Sequence, residues 1–204
     1  MDFTEIKKNL ETNGFTVSEF ATAAEASAYL NEKIDGTTVG FGGSMTLAEM
    51  GLFESLGAHN TVWWHQNARE HNTGHTVDET RVLANAAPVY LMSANGIAES
   101  GEIVNIDGTG NRIASMMYGH EKVYFVVGRN KIEKDYDAAL YRARNVAAPL
   151  NAKRLNAATP CAVKGDRCYD CKSPGRICRG LSVLWRCPTG ADYEVVLIDE
   201  DLGL

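Results

Sequence analysis

Residues 93–112, with the sequence SANGIAESGEIVNIDGTGNR, decide how the rest of the chain is interpreted. This stretch follows an apolar run at residues 88–92 and is rich in glycine, asparagine and acidic residues. It is too polar to be a core segment, and it contains too many turn-forming residues to be one long strand or helix. Open α/β sheets bind their ligands in loops at the carboxyl ends of buried strands. We therefore expect residues 93–112 to form part of a ligand site.

Apolar, β-branched runs alternate with helix-like segments on both sides of this loop. The patterns predict strands at residues 15–20, 37–41, 61–65, 89–93, 102–106, 122–127 and 193–198. They predict helices at residues 3–13, 23–34, 45–56, 77–86, 110–118 and 135–146, and a loop at residues 66–76. Because the connections are long enough for crossovers, we expect an α/β fold with a mostly parallel sheet and helices on both faces. One domain should span residues 1–204, with a cysteine-rich segment at residues 157–188.

Composition limits the class of protein. The net charge of −6 and the pI near 5.4 argue against a general nucleic-acid binder, which usually carries a basic surface. The first residues lack the apolar region of a signal peptide, and no apolar run approaches the roughly 18 residues of a membrane span. We therefore expect a cytoplasmic protein. All five cysteines lie between Cys161 and Cys187, and in a reducing compartment such a cluster favours metal binding over disulfides.

A glycine motif, GFGGSMT at residues 40–46, joins a predicted strand to a predicted helix. Glycine lets the backbone approach a ligand closely, and a helix N-terminus offers free N–H groups and a partial positive charge. The expected ligand is a small anion, a phosphate or a carboxylate, and the candidate ligand-binding residues are Gly42, Gly43, Ser44 and Thr46. The alternative is a tight strand-to-helix turn capped by Ser44.

Four uncommon strings carry a resemblance to a known family: GFGGSMTLAEMGL at residues 40–52, SANGIAESGEIVNIDGTGNRIA at 93–114, VVGRNKI at 126–132 and RNVAAPLNAKRL at 144–155. With the cysteines that follow, they make the chain resemble the LUD domain family, the lactate-utilisation proteins. The spacing within residues 94–109 is also similar to the sugar-phosphate isomerase branch of the superfamily that includes ribose-5-phosphate isomerase and the coenzyme A transferases. The resemblance implies the ribose-5-phosphate-isomerase-like α/β fold. It also implies a role in iron–sulfur-dependent lactate oxidation, with redox partner subunits.

The chain departs from the isomerase branch at Asn95, where that branch places a catalytic aspartate. An amide does not accept a proton at neutral pH, so this position lacks the base of the isomerase reaction. Asp107 and Glu99 are the candidates for catalytic work, although an Asp-Gly pair is also typical of a turn. The remaining candidates for ligand binding are Ser93, Asn95, Asn105, Gly108, Thr109, Asn111 and Arg112. The asparagines are equally suited to hydrogen bonds with the backbone of the loop itself.

The cysteine motif consists of Cys161, Cys168, Cys171 and Cys178, in the spacing C-x6-C-x2-C-x6-C. Four thiolates from one loop are suited to tetrahedral Zn²⁺ or to an iron–sulfur cluster. The spacing matches neither standard ferredoxin pattern, so the choice between the two stays open. The alternatives are free thiols in an ordered loop or disulfides formed on oxidation. Cys187 lies outside the motif and is expected to be a small buried side chain.

Basic residues form a further candidate set for binding a small anion. Arg112 lies in the glycine-rich loop and Arg129 follows a predicted strand, so these two are favoured over Lys131, Lys153 and Arg154. The alternative for each of them is a solvated surface charge.

The aromatic and histidine residues indicate a function less clearly than the glycine-rich and cysteine motifs do. The Trp63-Trp64 pair is interpreted as core and interface, which is compatible with a homodimer. His71 and His75 are separated by Asn-Thr-Gly, which is unsuited to a helix, so a metal site made of them with His65 is not expected.

Two hypotheses of function follow. In the first, the chain is a small-molecule-binding component of an iron–sulfur-linked organic-acid (lactate) oxidation system. In the second, it is an isomerase or acyl/CoA-transferase-like enzyme that holds a phosphorylated or CoA-linked small molecule between residues 42–46 and 93–112. A regulatory binding module without chemistry is the third alternative.

Overall fold

The main sheet is parallel. The structure is a computed structural model, and it describes residues 1–67 and 74–204. Six strands of this part form one sheet in the order β1-β10-β7-β4-β2-β3, in which every neighbouring pair is parallel. The described strands are β1 (Thr16–Phe20), β2 (Thr38–Phe41), β3 (Thr61–Trp64), β4 (Val89–Met92), β5 (Gly96–Ala98), β6 (Ile103–Asp107), β7 (Lys122–Gly128), β8 (Ile132–Glu133), β9 (Gly180–Leu184) and β10 (Asp192–Ile198). The predicted α/β fold with a mostly parallel sheet is confirmed.

Helices connect the strands of this sheet. In the described residues they are α1 (Thr4–Thr12), α2 (Ala23–Lys33), α3 (Met45–Glu49), α4 (Leu52–Gly57), α5 (Val77–Asn85), α6 (Asn111–Met117), α7 (Tyr136–Arg142), α8 (Ala148–Arg154) and α9 (Pro160–Lys164), with a 3-10 turn at Arg129–Lys131 and a π-helical turn at Ala143–Ala147. The single helix predicted at residues 45–56 is two helices, because Gly51 adopts a φ of +62° between them. The helix predicted at residues 135–146 continues through the π turn into α8. The turn lies just before Pro149, which lacks the N–H that a regular helix would use.

Helices cover both faces of the sheet. Alternate residues of β7 point to opposite faces, so Phe125 packs in one cluster with Leu10 of α1, and Val126 packs in another with Leu30 of α2. All four side chains are fully buried. Burying a leucine in this way contributes roughly 1.5–3 kcal/mol to folding before entropy is counted. None of the described helices is long and apolar enough to cross a membrane.

A second sheet carries the glycine-rich stretch that the sequence presents as a loop. Its order is β8-β5-β6-β9, with antiparallel β5–β6 and β6–β9 pairs and a parallel β5–β8 pair. Only β6 is predicted from the sequence. Strands β5 and β8 have 3 and 2 residues, too few to show a period, and β9 begins inside the predicted cysteine-rich segment. Residues 93–112 are therefore mostly a short hairpin that projects from the end of β4.

The aromatic pair of β3 is not an exposed surface. Trp64 is 5% exposed and packs against the rings of Phe41 and Phe53. Trp63 is half-buried and contacts the edge of His75. The homodimer stays a prediction.

Candidate functional site

A cavity of about 840 Å³ lies beyond the carboxyl ends of β2, β4 and β6. One wall is the turn before α3, another is the β5–β6 hairpin, and a third is the cysteine-rich segment at residues 174–179. Nine of the residues predicted for the site line it: Gly43, Ser44, Ser93, Asn95, Asp107, Gly108, Thr109, Asn111 and Arg112. This is the position at which open α/β sheets bind ligands.

Lys131 is a buried residue in the lining of this cavity. Its side chain is 3% exposed, and its Nζ donates hydrogen bonds to Thr46 Oγ1 at 2.7 Å and to Ser93 Oγ at 3.1 Å. Thr46 lies in the first turn of α3, Ser93 follows β4, and Lys131 follows β7. One ammonium group thus ties together the ends of three strand–helix units.

Lys131 lies among positive charges. Burial, together with the nearby positive charges of Arg142 and Arg112, lowers the pKa of Lys131 to about 7, while Glu49 opposes the shift. No ion pair in the described residues joins Lys131 to a carboxylate. Arg112 and Arg142 each have an acid nearby, Asp107 and Glu133 respectively. Lys131 forms no such pair, and a buried ammonium group without one is costly, so its surroundings favour an anionic ligand.

Arg112 is held in place by the hairpin. Its Nη2 donates to Asn95 Oδ1 at 3.1 Å and to the Ile106 carbonyl at 2.6 Å. Asn95 Oδ1 also accepts the Ile106 N–H at 2.8 Å. The amide that replaces the isomerase aspartate therefore works as a fixed acceptor that orients a cation.

Arg142 completes the cation group from α7. It is 6% exposed, and its guanidinium donates to the carbonyls of Asn130 at 2.8 Å and Asn95 at 2.5 Å. These bonds fix the turn that leads to Lys131 and the start of the hairpin relative to each other.

Asp107 caps α6. Its Oδ1 accepts the Thr109 N–H at 3.0 Å, and its Oδ2 accepts those of Arg112 and Ile113 at 2.9 and 3.2 Å. Burial alone would raise the pKa of Asp107, but the charge of Arg112 and the surrounding backbone N–H groups hold it below its usual value. An ionised carboxylate with both oxygens bound is a poor proton acceptor, so the contacts favour the turn interpretation over the catalytic one.

Several predicted site residues lie away from the cavity. Glu99 is exposed and its backbone contacts Glu133 and Asn9. Arg129 is exposed and pairs with Asp199 and Asp201 at 3.2 and 2.9 Å.

Two further candidates are packed behind the site. Asn105 is fully buried, and its Nδ2 lies 3.5 Å from Met116 Sδ. Gly42 packs against Arg112, because an added Cβ would meet the Arg112 side chain at 3.1 Å.

The sequence ranked Lys131 below Arg129 and missed Arg142. The 3-10 turn after β7 accounts for the difference between the two residues, because Arg129 is exposed and Lys131 is buried on either side of it. The string VVGRNKI, which contains Lys131, is the sequence signal that points to this residue. Arg142 has no comparable signal, because it lies in a helix whose pattern shows only its apolar face.

The four motif cysteines gather around one small cavity of about 10 Å³, next to Arg144 and Arg176. All are free thiols, and Cys178 also lines the main cavity. Thiols are the donors that zinc and iron–sulfur clusters use, so the donor set fits. In the described part of the chain, however, no group of three or more histidine, cysteine, aspartate and glutamate side chains is placed to hold a metal ion. The four cysteines lie near one another, but their sulfur atoms are not positioned as the ligands of one metal ion.

The other cysteine and the histidines do not join that group. Cys187 is partly buried against the core, and burial raises the pKa of its thiol. His65 lines the main cavity, His75 lies on Trp63, and His71 lies outside the described residues.

Comparisons with known proteins agree with this architecture. A family model described as the LUD domain matches residues 3–198. None of the curated proteins matches the chain. A solved structure of a DUF162 family protein from Deinococcus radiodurans is similar, with a TM-score of 0.51 and 11% sequence identity over 97% of this chain and 99% of that one. At this identity the likeness shows the fold alone.

Proposed function

The chain belongs to the LUD domain family, and from this premise we propose that it is the small-molecule-binding component of an iron–sulfur-linked system that oxidises an organic acid such as lactate. One observation carries the proposal: Lys131 and Arg112 line the same cavity, and Lys131, with Arg142 nearby, forms no ion pair with a carboxylate of the described residues. A carboxylate supplies the missing charge.

The residues present suit a small hydroxy acid. Lys131 and Arg112 offer N–H donors to a carboxylate, and charge-assisted bonds of this kind are roughly twice as strong as neutral ones. The Ser44 and Ser93 hydroxyls lie beside them in the cavity wall and can bond to a ligand hydroxyl. In this role the chain holds and orients the acid.

The electrons removed from the organic acid need an acceptor outside the binding cavity. Oxidation of a 2-hydroxy acid to a 2-oxo acid removes two electrons and two protons, so redox partner subunits are part of the proposal. Cys161, Cys168, Cys171 and Cys178 would hold the iron–sulfur cluster, or zinc, and an iron–sulfur cluster supplies one-electron transfer. Because Cys178 belongs to both cavities, that group would lie in the wall of the binding site.

Titration calorimetry with L-lactate, D-lactate and pyruvate tests the proposal. We expect saturable binding, at least tenfold weaker in Lys131→Met, which removes the charge but keeps the length of the side chain. Arg129→Gln is the matched control, since it removes an exposed cation outside the cavity, and it should bind like the wild type. Absence of binding to every carboxylate, or equal binding by Lys131→Met, would contradict the proposal.

The size of the cavity favours a second candidate. A volume of about 840 Å³ suits a ligand much larger than lactate, and Arg154, Arg176 and Arg179 add positive charge to its outer wall. An isomerase or acyl/CoA-transferase-like enzyme acting on a phosphorylated or CoA-linked molecule would use that space. Tighter binding of a sugar phosphate or coenzyme A than of lactate, lost on Arg154→Gln, would favour this candidate.

A further inference from the structure

The amine of Lys131 is suited to more than charge pairing. We infer that Lys131 forms a reversible imine with the carbonyl carbon of a 2-oxo acid, the class of compound that oxidation of a 2-hydroxy acid yields. The inference rests on the proposed function, because it places a small organic acid in the same cavity.

The geometry makes Nζ a fixed, dry nucleophile that borders the cavity. Its bonds to Thr46 Oγ1 and Ser93 Oγ hold it at the end of the sheet. The Thr46 hydroxyl also donates to the Leu202 carbonyl at 3.2 Å, which keeps its oxygen oriented as an acceptor for the amine. A lysine held in this way loses little freedom when it reacts.

The surrounding charges favour the neutral amine. Arg112 and Arg142 repel a proton on Nζ, and the one acid that opposes them, Glu49, accepts the Gly203 N–H at 2.6 Å. With its pKa lowered to about 7, Lys131 is substantially unprotonated at neutral pH. Desolvation and neighbouring cations are the two means by which proteins activate a lysine for attack on a carbonyl.

The step is balanced without an oxidant or reductant. The Nζ lone pair attacks the C2 carbonyl carbon, the C–N bond forms, and the carbonyl oxygen takes up a proton to give a carbinolamine. In all, Nζ gives up its two protons to that oxygen, the C–O bond breaks and the oxygen leaves as water, so one water is released for each imine formed. The hydroxyls of Thr46 and Ser93 lie within hydrogen-bond distance of Nζ and can relay the protons, while Arg112 binds the carboxylate.

Borohydride trapping tests the inference. The full-length protein is incubated with pyruvate and sodium borohydride, which reduces an imine to a stable secondary amine, and the adduct is located by peptide mass spectrometry. We expect one adduct, on Lys131, and none with L-lactate, which has no carbonyl. Lys131→Met should lose the adduct. Lys134→Met is the matched control, because Lys134 is an exposed lysine with a side chain 81% accessible, and it should leave the adduct unchanged.

Calorimetry on the same samples separates this inference from the proposed function. Binding of lactate and pyruvate without an adduct on Lys131 overturns the imine and leaves the binding function in place. An adduct on Lys131 without lactate binding supports the imine and counts against the hydroxy acid. Adducts spread over exposed lysines, or the absence of both binding and adduct, overturn the inference.

Discussion

Arg112 Nη2 lies 3.1 Å from Asn95 Oδ1 and donates a hydrogen bond to it. Asn95 precedes β5 and Arg112 follows β6, so this bond joins the two chain segments at the base of the hairpin, and Arg112 lines the cavity. Asn95 occupies the position at which the isomerase branch has an aspartate. A carboxylate there would add a second negative charge beside Arg112, whereas the amide leaves Asp107 as the acid that offsets it.

Substitutions of Asn95 separate its contribution to stability, through hydrogen bonds, from its contribution to anion binding, through its lack of charge. Asn95→Ala removes the acceptor for Arg112 and for the Ile106 N–H, so we expect the free energy of unfolding to fall by about 1–3 kcal/mol. Asn95→Asp keeps both hydrogen bonds but adds a negative charge beside Arg112. We expect it to retain most of the stability and to bind carboxylates at least tenfold more weakly. Denaturant unfolding and calorimetry measure the two effects, and equal behaviour of the two variants would contradict this role.

Asp107 links the stability of α6 to pH. Its folded pKa is lowered, whereas an unfolded aspartate titrates near 3.9. Its contribution is therefore fully present above about pH 4 and is lost as the pH falls through the lower, folded value. Asp107→Asn cannot accept three N–H groups with one oxygen, so we expect it to be less stable by about 1–3 kcal/mol at neutral pH. The difference from the wild type should shrink in acid, and urea titrations across this range would show it. A difference that does not change with pH would contradict the assignment.

Lys131 should couple anion binding to proton uptake. In the free protein its pKa is lowered to about 7. A bound carboxylate favours the ammonium form and raises that value, so above about pH 7 binding takes up a proton and the affinity falls as the pH rises. Calorimetry at about pH 8, in two buffers of different ionisation enthalpy, measures the uptake directly. We expect a measurable fraction of a proton for each site in the wild type and none in Lys131→Met. Equal uptake in both would place the titrating group elsewhere.

The cysteine motif should bind iron or zinc as a unit. Metal binding can draw together donors that the protein holds only loosely, so Cys161→Ser or Cys171→Ser alone should remove most of the bound metal. Cys187→Ser is the matched control, because its thiol packs against the core outside the group. Metal analysis and visible absorbance after anaerobic purification distinguish iron–sulfur from zinc. Wild-type protein that contains neither metal would contradict metal binding by the cysteine motif.

The sequence predicted the sheet well and the site only in part. The main strands are long apolar runs whose alternation with helices is legible, so all six strands of the main sheet were anticipated. Most of the candidate residues of the glycine-rich stretch line the cavity, and their role in binding stays a prediction. Its conformation was not predicted, because β5 and β8 are short and are stabilised by partners distant in sequence.

The directions of the predicted side chains depend on turns that the sequence does not show. Arg129 and Lys131 are two residues apart, and only the 3-10 turn decides which of them faces the cavity. Glu99 and Asp107 both occur in the predicted loop, but the hairpin carries Glu99 to the opposite end from the ligand. Sequence spacing does not report the direction of a side chain when a turn intervenes.

A crystal structure of the protein with bound L-lactate or pyruvate, at a concentration that calorimetry shows to be saturating, would show where the organic acid lies. We expect a carboxylate within about 3 Å of Lys131 Nζ and in contact with Arg112 in the cavity. An organic acid bound at any other place, with the bonds of Lys131 to Thr46 and Ser93 unchanged and no anion beside them, would contradict it.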